Sequence, residues 1–327
     1  FVYFYWHFFC VILISFEVNH SNIKRFSQER NLLMNPNQER IESLVYKTVL
    51  RACTEISEDV LQILEQAYER ETNPTAQSIL AAMLDNVRIA GEKDKGICQS
   101  PGYPTSWLSF GDVNMPLGVA CAVESAVVDA TKKGYLRPSL VDAVTRHNDG
   151  TNTGLGIPNI EYEYNPGQTY IDFIISFKGC GAELGNAMQI MPPAKFGKNF
   201  SGLKRFIVET ALAAGGKPCT PFGIGVGLGG QMDIAAKLSR KAISCRRWDD
   251  TNPDPVLAGW EEELKEAINS LGVGAAGIGG DTCCLAVKIA KAHTHTAVQP
   301  IAINFHCWVA RRAGFRLYDD GRLEKLL

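Results

Sequence analysis

The chain has 327 residues, 46% hydrophobic and 21% charged, enough to bury a core without help from disulfides. A formal net charge of −2 supplies no basic field to draw in nucleic acid, and the apolar content excludes a disordered chain. Ten cysteines are too few for a disulfide scaffold and more than packing needs, which raises metal or redox use.

Residues 1–33 begin with the apolar run Phe1–Val18. No Lys or Arg precedes that run and no orderly cleavage site follows it, so 1–33 is read first as a non-native or artefactual extension and second as a true membrane or targeting segment. A natural start is expected at Met34. Residues 34–91 read as a helical N-terminal layer. Ile41, Leu44, Val45, Val49 and Ala52 recur at helical spacing, and Ser57 precedes a second stripe of Val60, Leu61, Leu64 and Tyr68. Asn73-Pro74 is a cap followed by proline at the first helical position, and Ile79, Leu80, Met83, Leu84 and Val87 carry a third stripe.

Residues 92–318 read as a mixed α/β body, with 319–327 as a tail. A helix is expected over 115–133. Ile171, Phe173, Ile175 and Phe177 alternate, which predicts a strand over 169–177. Helices follow over 201–214, 230–243 and 254–271. Strands follow over 222–230, where glycines alternate, and over 283–289 and 298–305.

The chemistry lies with the cysteines. No CxxC is present, so zinc-ribbon and thioredoxin-like spacings are absent. Cys53, Cys121 and Cys245 lie in or beside helical patterns and read as small core residues. Cys283-Cys284 opens an apolar strand, with one of the two expected to pack inward and no disulfide between them. Cys98, Cys180, Cys219 and Cys307 each end an element in a loop with Gly, Pro or a bulky aromatic, where proteins present ligands. From the residues alone, a shared metal site and incidental buried thiols both stay open.

Eight segments then line up in one order. They are Gly96-Ile97-Cys98-Gln99, Tyr135-Leu136-Arg137-Pro138-Ser139, Asn152-Thr153-Gly154, Lys178-Gly179-Cys180-Gly181, Lys217-Pro218-Cys219-Thr220-Pro221, Leu238-Ser239-Arg240-Lys241-Ala242, Leu271-Gly272-Val273-Gly274 and Asn304-Phe305-His306-Cys307-Trp308-Val309-Ala310-Arg311-Arg312. Over roughly 38–318 the chain resembles the α subunit, or N-terminal half, of the class I iron–sulfur hydro-lyases, the fumarate hydratases and L-tartrate dehydratases.

The resemblance implies a [4Fe–4S] cluster held by Cys98, Cys219 and Cys307. Three protein thiolates leave one iron open, a Lewis acid toward a substrate hydroxyl. It further implies that Arg137, Gln99 and Lys178 act on a small dicarboxylate, fumarate/malate first and tartrate next. Gln99, Arg137 and the turn Gly179, Cys180 and Gly181 would bind it, the turn through backbone N–H groups. A guanidinium suits such an acid because its fork pairs with both carboxylate oxygens. A separate β subunit and an α2β2 assembly follow from the same resemblance; a cytoplasmic setting is expected because no credible export signal is read and an oxygen-sensitive cluster with free thiols suits a reducing compartment.

His293 and His295 are spaced like a metal pair, but the resemblance brings that segment near the site without making it a ligand set. His306 reads as a neighbour in the cluster loop, and Arg311-Arg312 as structural or partner-facing. One departure stands out: Cys98-Gln99-Ser100-Pro101-Gly102 replaces the family's Cys-Gln-Asp-Thr-Gly. It opens a second expectation, a non-catalytic or altered-specificity paralogue that still binds the cluster.

Overall fold

The computed structural model describes residues 36–98, 100, 102–113 and 118–327. The expectation for the extension 1–33 and the role given to Gln99 lie outside these described residues. The N-terminal layer holds helices α1 (Pro36–Thr54), α2 (Glu58–Arg70) and α3 (Pro74–Lys93). Asn73 caps α3 by accepting from the backbone N–H groups of Thr75 and Ala76. Ser57 occupies the cap position of α2, but its hydroxyl makes no cap bond; it accepts from Arg312 Nη2 at 3.4 Å instead.

The body then runs β1 (Tyr103–Phe110), α4 (Val119–Lys132), β2 (Asn159–Tyr164), β3 (Tyr170–Lys178), α5 (Cys180–Leu184), β4 (Ala187–Met191), α6 (Ser201–Ala214), β5 (Phe222–Leu228), α7 (Met232–Cys245), α8 (Pro255–Asn269), β6 (Cys284–Lys291), β7 (Gln299–His306), β8 (Arg312–Tyr318) and β9 (Leu323–Leu326). The mixed α/β expectation is met. The stretch set aside as a tail carries β9, paired antiparallel to β8.

The strands form two sheets, ordered β2-β1-β3-β8-β9 and β4-β7-β5-β6. In the first, β1 and β2 are parallel and the other neighbours antiparallel. Its apolar face takes the stripes of α1 and α4: Ile41, Val45 and Val49 meet Val123, Val127, Phe173, Ile175 and Phe315 in one cluster. In the second, β5 and β6 are parallel and β7 runs antiparallel to β5 and β4. Leu203 and Ile207 of α6 and Leu264 and Ile268 of α8 cover it through Ile224, Val226 and Phe305.

The alternating glycines of β5 have a packing reason. A Cβ on Gly225 would lie 1.9 Å from the Ser239 carbonyl oxygen and one on Gly227 2.0 Å from that of Ala235, so α7 lies directly on the strand. No helix among the described residues is long and apolar enough to cross a membrane.

Two connections pass between the sheets. One runs from β3 through Gly179 and α5 to β4; the other runs from β7 through Cys307 to β8. Ser176 Oγ of β3 and His306 Nε2 of β7 are 3.1 Å apart across this seam, and the Phe177 N–H donates to the Arg311 carbonyl at 2.8 Å.

Candidate functional site

Three loops bring their cysteines to the seam. Cys98 follows α3. Its loop is pinned by the Ile97 N–H on the Cys53 carbonyl and by Asn86 Nδ2 on the Ile97 carbonyl, both at 3.0 Å. The Ser100 N–H lies 3.4 Å from Cys98 Sγ. Gly102 turns the chain with φ +77°, and a Cβ there would lie 2.1 Å from the Lys178 carbonyl oxygen. The loop therefore sits against the turn after β3.

Cys219 follows α6 in the left-handed region at φ 60°. Thr220 Oγ1 donates to the Gly274 carbonyl at 2.7 Å and anchors this loop. Gly181 abuts it: a Cβ would lie 2.4 Å from the Lys217 carbonyl oxygen and 3.8 Å from Cys219 Sγ. Cys307 is buried at the end of β7, packed with Ala90, Ile97, Val309 and half-buried Cys98.

Cys98 thus packs with Cys307, and Cys219 lies against the turn that follows β3. Burial pushes the Cys219 thiol up, and Cys98 adds to the shift. Burial also pushes Cys307 up; Arg311 pulls it back, while Cys219 and Cys98 push the same way as burial. Among the described residues, no three His, Cys, Asp or Glu side chains close on a single ion.

Lys178 is 3% exposed at the end of β3. Its ammonium bonds Asn186 Oδ1 at 3.0 Å and Asn304 Oδ1, and pairs with Glu183 at 3.0 Å. Burial pulls it down to about 8 against the opposing effect of Glu183. A cleft of about 300 Å³ beside it is lined by Glu183, Asn304, Arg240, Trp107, Glu161 and Lys237. Sequence reasoning missed Asn186 and Glu183, which belong to none of the eight segments, and gave Asn304 no role.

Arg137 is exposed, and its described bonds hold its backbone, not its guanidinium. Its carbonyl accepts from Asn152 Nδ2 at 2.9 Å and Ser139 Oγ at 3.1 Å. Buried Asn152 also accepts from the Ser139 N–H at 2.8 Å, so the Asn-Thr-Gly segment shapes the loop that carries Arg137. Tyr135 Oη donates to Asp94 at 2.6 Å, tying that loop to the approach to Cys98. Cys180 is exposed at the start of α5.

The other cysteines correct part of the sequence reading. Cys53 is buried, with its thiol pushed by burial to about 12, and so is the Cys245 thiol. Cys121 is exposed on α4 rather than in the core. Both Cys283 and Cys284 are buried, not one, because Cys283 precedes the strand and Cys284 enters it; both are free. His293 and His295 are exposed in the loop between β6 and β7, where His295 Nδ1 accepts from the Ala297 N–H at 3.1 Å.

The sequence matches the family described as fumarate hydratase (fumerase) over residues 42–316. It is 37% identical to a Methanocaldococcus jannaschii protein provisionally named L(+)-tartrate dehydratase subunit alpha, covering 87% of this chain and 100% of that one. A Geobacillus stearothermophilus protein provisionally named fumarate hydratase class I is 30% identical; the match takes 86% of this chain but 58% of its longer relative. The L(+)-tartrate dehydratase subunit alpha of Escherichia coli K12 is 28% identical, over 88% of this chain and 94% of that one.

Proposed function

The chain belongs to the fumarate hydratase family, and from that premise we propose that it is the α subunit of an iron–sulfur hydro-lyase. Its reaction is the reversible addition of water to a small dicarboxylate, fumarate/malate first and tartrate next. One observation carries the reading: Cys98 and Cys307 pack in one cluster, and Cys219 abuts Gly181 of the Lys178–Gly181 turn, so three loops distant in sequence meet there. The donor set fits a [4Fe–4S] cluster on Cys98, Cys219 and Cys307, because each thiolate of a cubane binds its own iron and need not share an ion with the others. When bound, that cluster supplies an iron without a protein ligand, a Lewis acid for the hydroxyl that leaves or arrives.

The chain's own groups orient the acid. Lys178 is a cation held in place by Asn186, Asn304 and Glu183, so it offers a carboxylate a fixed positive charge. Arg137 contributes a guanidinium fork from the loop shaped by Asn152, and Gln99 an amide next to the first thiolate. Gly179, Cys180 and Gly181 offer backbone N–H groups. The base that takes the carbon-bound proton is assigned to a β subunit in an α2β2 assembly, in the cytoplasm, where free thiols persist. Relatives named as α subunits, and a longer relative of which the chain spans 58%, support the separate β chain.

Ser100 favours a second reading, a paralogue that binds the cluster without turnover or with altered specificity. Anaerobic co-purification with a candidate β chain, iron and sulfide analysis, and hydration assays over fumarate, mesaconate and tartrate separate the two. Turnover of one acid supports the enzyme, iron without turnover supports the paralogue, and absence of both contradicts each.

A further inference from the structure

The cleft beside Lys178 is walled by β1, β2, α5, α7 and β7, and none of its lining residues is a cysteine or part of the Gly179–Gly181 turn. Its volume of about 300 Å³ suits a small organic molecule. Two of the cations around it are already matched: Lys237 Nζ lies 3.2 Å from Glu161, and the Lys178 ammonium behind the cleft pairs with Glu183 at 3.0 Å. Arg240 is half-buried in the same wall, and its guanidinium makes no hydrogen bond or ion pair among the described residues. These five groups therefore leave one positive charge in excess. Burial lowers the proton affinity of Lys178 against the effect of Glu183, and Arg240 adds to that lowering, as expected of like charges with no anion between them.

Asn304 supplies the second observation. Its Oδ1 accepts from Lys178, while its Nδ2 makes one long bond, 3.4 Å to Ser239 Oγ. An amide nitrogen carries two hydrogens, so the other is open to a ligand. The rest of the wall is apolar. Trp107, 9% exposed, sits in register with Glu161 of the neighbouring strand, and Ala236 lies one helical turn before Arg240 on α7.

We propose that this cleft is a second binding site, for a small monocarboxylate. The Arg240 fork pairs with the carboxylate, the Asn304 amide donates to it, and Trp107 and Ala236 cover its short apolar body. A diacid is disfavoured, because one surplus charge answers one anion and a second carboxylate meets Glu161 or Glu183. The site uses none of the residues assigned to the diacid substrate, so it stands apart from the hydro-lyase reading.

The test uses the protein purified anaerobically with its β chain and titrated calorimetrically with butanoate, butanamide and inorganic phosphate. Wild type should bind one butanoate per chain, and both butanamide, which lacks the charge, and phosphate, which lacks the apolar body, at least about tenfold more weakly. Arg240→Gln should weaken butanoate binding at least about tenfold, and Ala236→Phe, which fills the cleft, should do the same. Melting temperature and the affinity for fumarate and L(+)-tartrate should stay those of wild type in Arg240→Gln. No saturable butanoate binding, or wild-type binding in both variants, would overturn the inference. Phosphate binding as tight as butanoate would assign the cleft to inorganic oxyanions and contradict the carboxylate. A butanoate signal that saturating fumarate removes would place it in the diacid site and contradict a second one. A protein that binds butanoate but neither diacid sinks the hydro-lyase reading alone, so the two failures are told apart.

Discussion

Lys178 carries its charge where water does not reach, and pH exposes the consequence. Its ammonium is pulled by burial from an ordinary 10.5 to about 8. Between those values the folded chain has released a proton that the unfolded chain still holds, so this group makes stability rise with pH across that window. Substrate attraction runs the other way, because it needs the ammonium. The kcat/KM for the diacid should fall as pH rises through about 8, and Lys178→Met should abolish that limb and lower kcat/KM by roughly 10- to 100-fold. A limb that persists in Lys178→Met assigns it to another group. Gly181 is tested by packing: in Gly181→Ala the new methyl meets the Lys217 carbonyl, 2.4 Å from the ideal Cβ position. This should cost about 1–3 kcal/mol in urea unfolding and lower bound iron per chain by shifting Cys219. Unchanged midpoint and iron content would show that the contact relaxes freely. At this scale residue type drew attention to the cysteines and to Lys178, which the fold buries at the end of β3. Arg311 was not legible in this way, since an Arg-Arg doublet reads equally as structural or partner-facing until the fold buries it.

Helix α2 is tied to the body through one buried pair. Asp59 and Arg312 are both wholly buried; Asp59 also accepts from the Trp248 N–H at 2.6 Å, and Arg312 lies 5.2 Å over the Trp248 ring. Removing one partner leaves the other's charge without compensation, so Asp59→Asn should cost about 3–5 kcal/mol by urea denaturation. A loss below about 1 kcal/mol would mean that water or rearrangement reaches Arg312. The amphipathic helices were readable because one face of each packs on a sheet and the other does not, and β3 because Ile171, Phe173, Ile175 and Phe177 are all buried. Strand β1 was missed because Pro104 to Leu108 are buried without alternation. Strand β8 was missed because it begins at buried Arg312, and β9 because its Glu and Lys look like a solvated end.

The whole molecule places two crossovers between its sheets at the candidate site, one bearing Lys178–Gly181 and the other Cys307 and Arg311. Spacing along the chain could not reveal that Cys98, Cys219 and Cys307 share a neighbourhood, because the loops that carry them are fixed by long-range contacts such as Gly102 on Lys178 and Gly181 on Lys217. Only the family's motif order pointed to the three together. Co-expressed with a β chain, the protein should elute as a heteromer on size exclusion, and the isolated chain should turn over the acid at well under a tenth of the complex's rate, roughly. Full activity of the isolated chain would remove the need for a partner. The central claim is that three thiols hold one cluster, and the direct measurement is iron and sulfide content with visible absorbance after anaerobic reconstitution. The account predicts about four iron and four sulfide per wild-type chain, with the cluster absorbance lost in each of Cys98→Ser, Cys219→Ser and Cys307→Ser and kept in Cys53→Ser and Cys121→Ser. A full cluster in any one of the first three variants would contradict it.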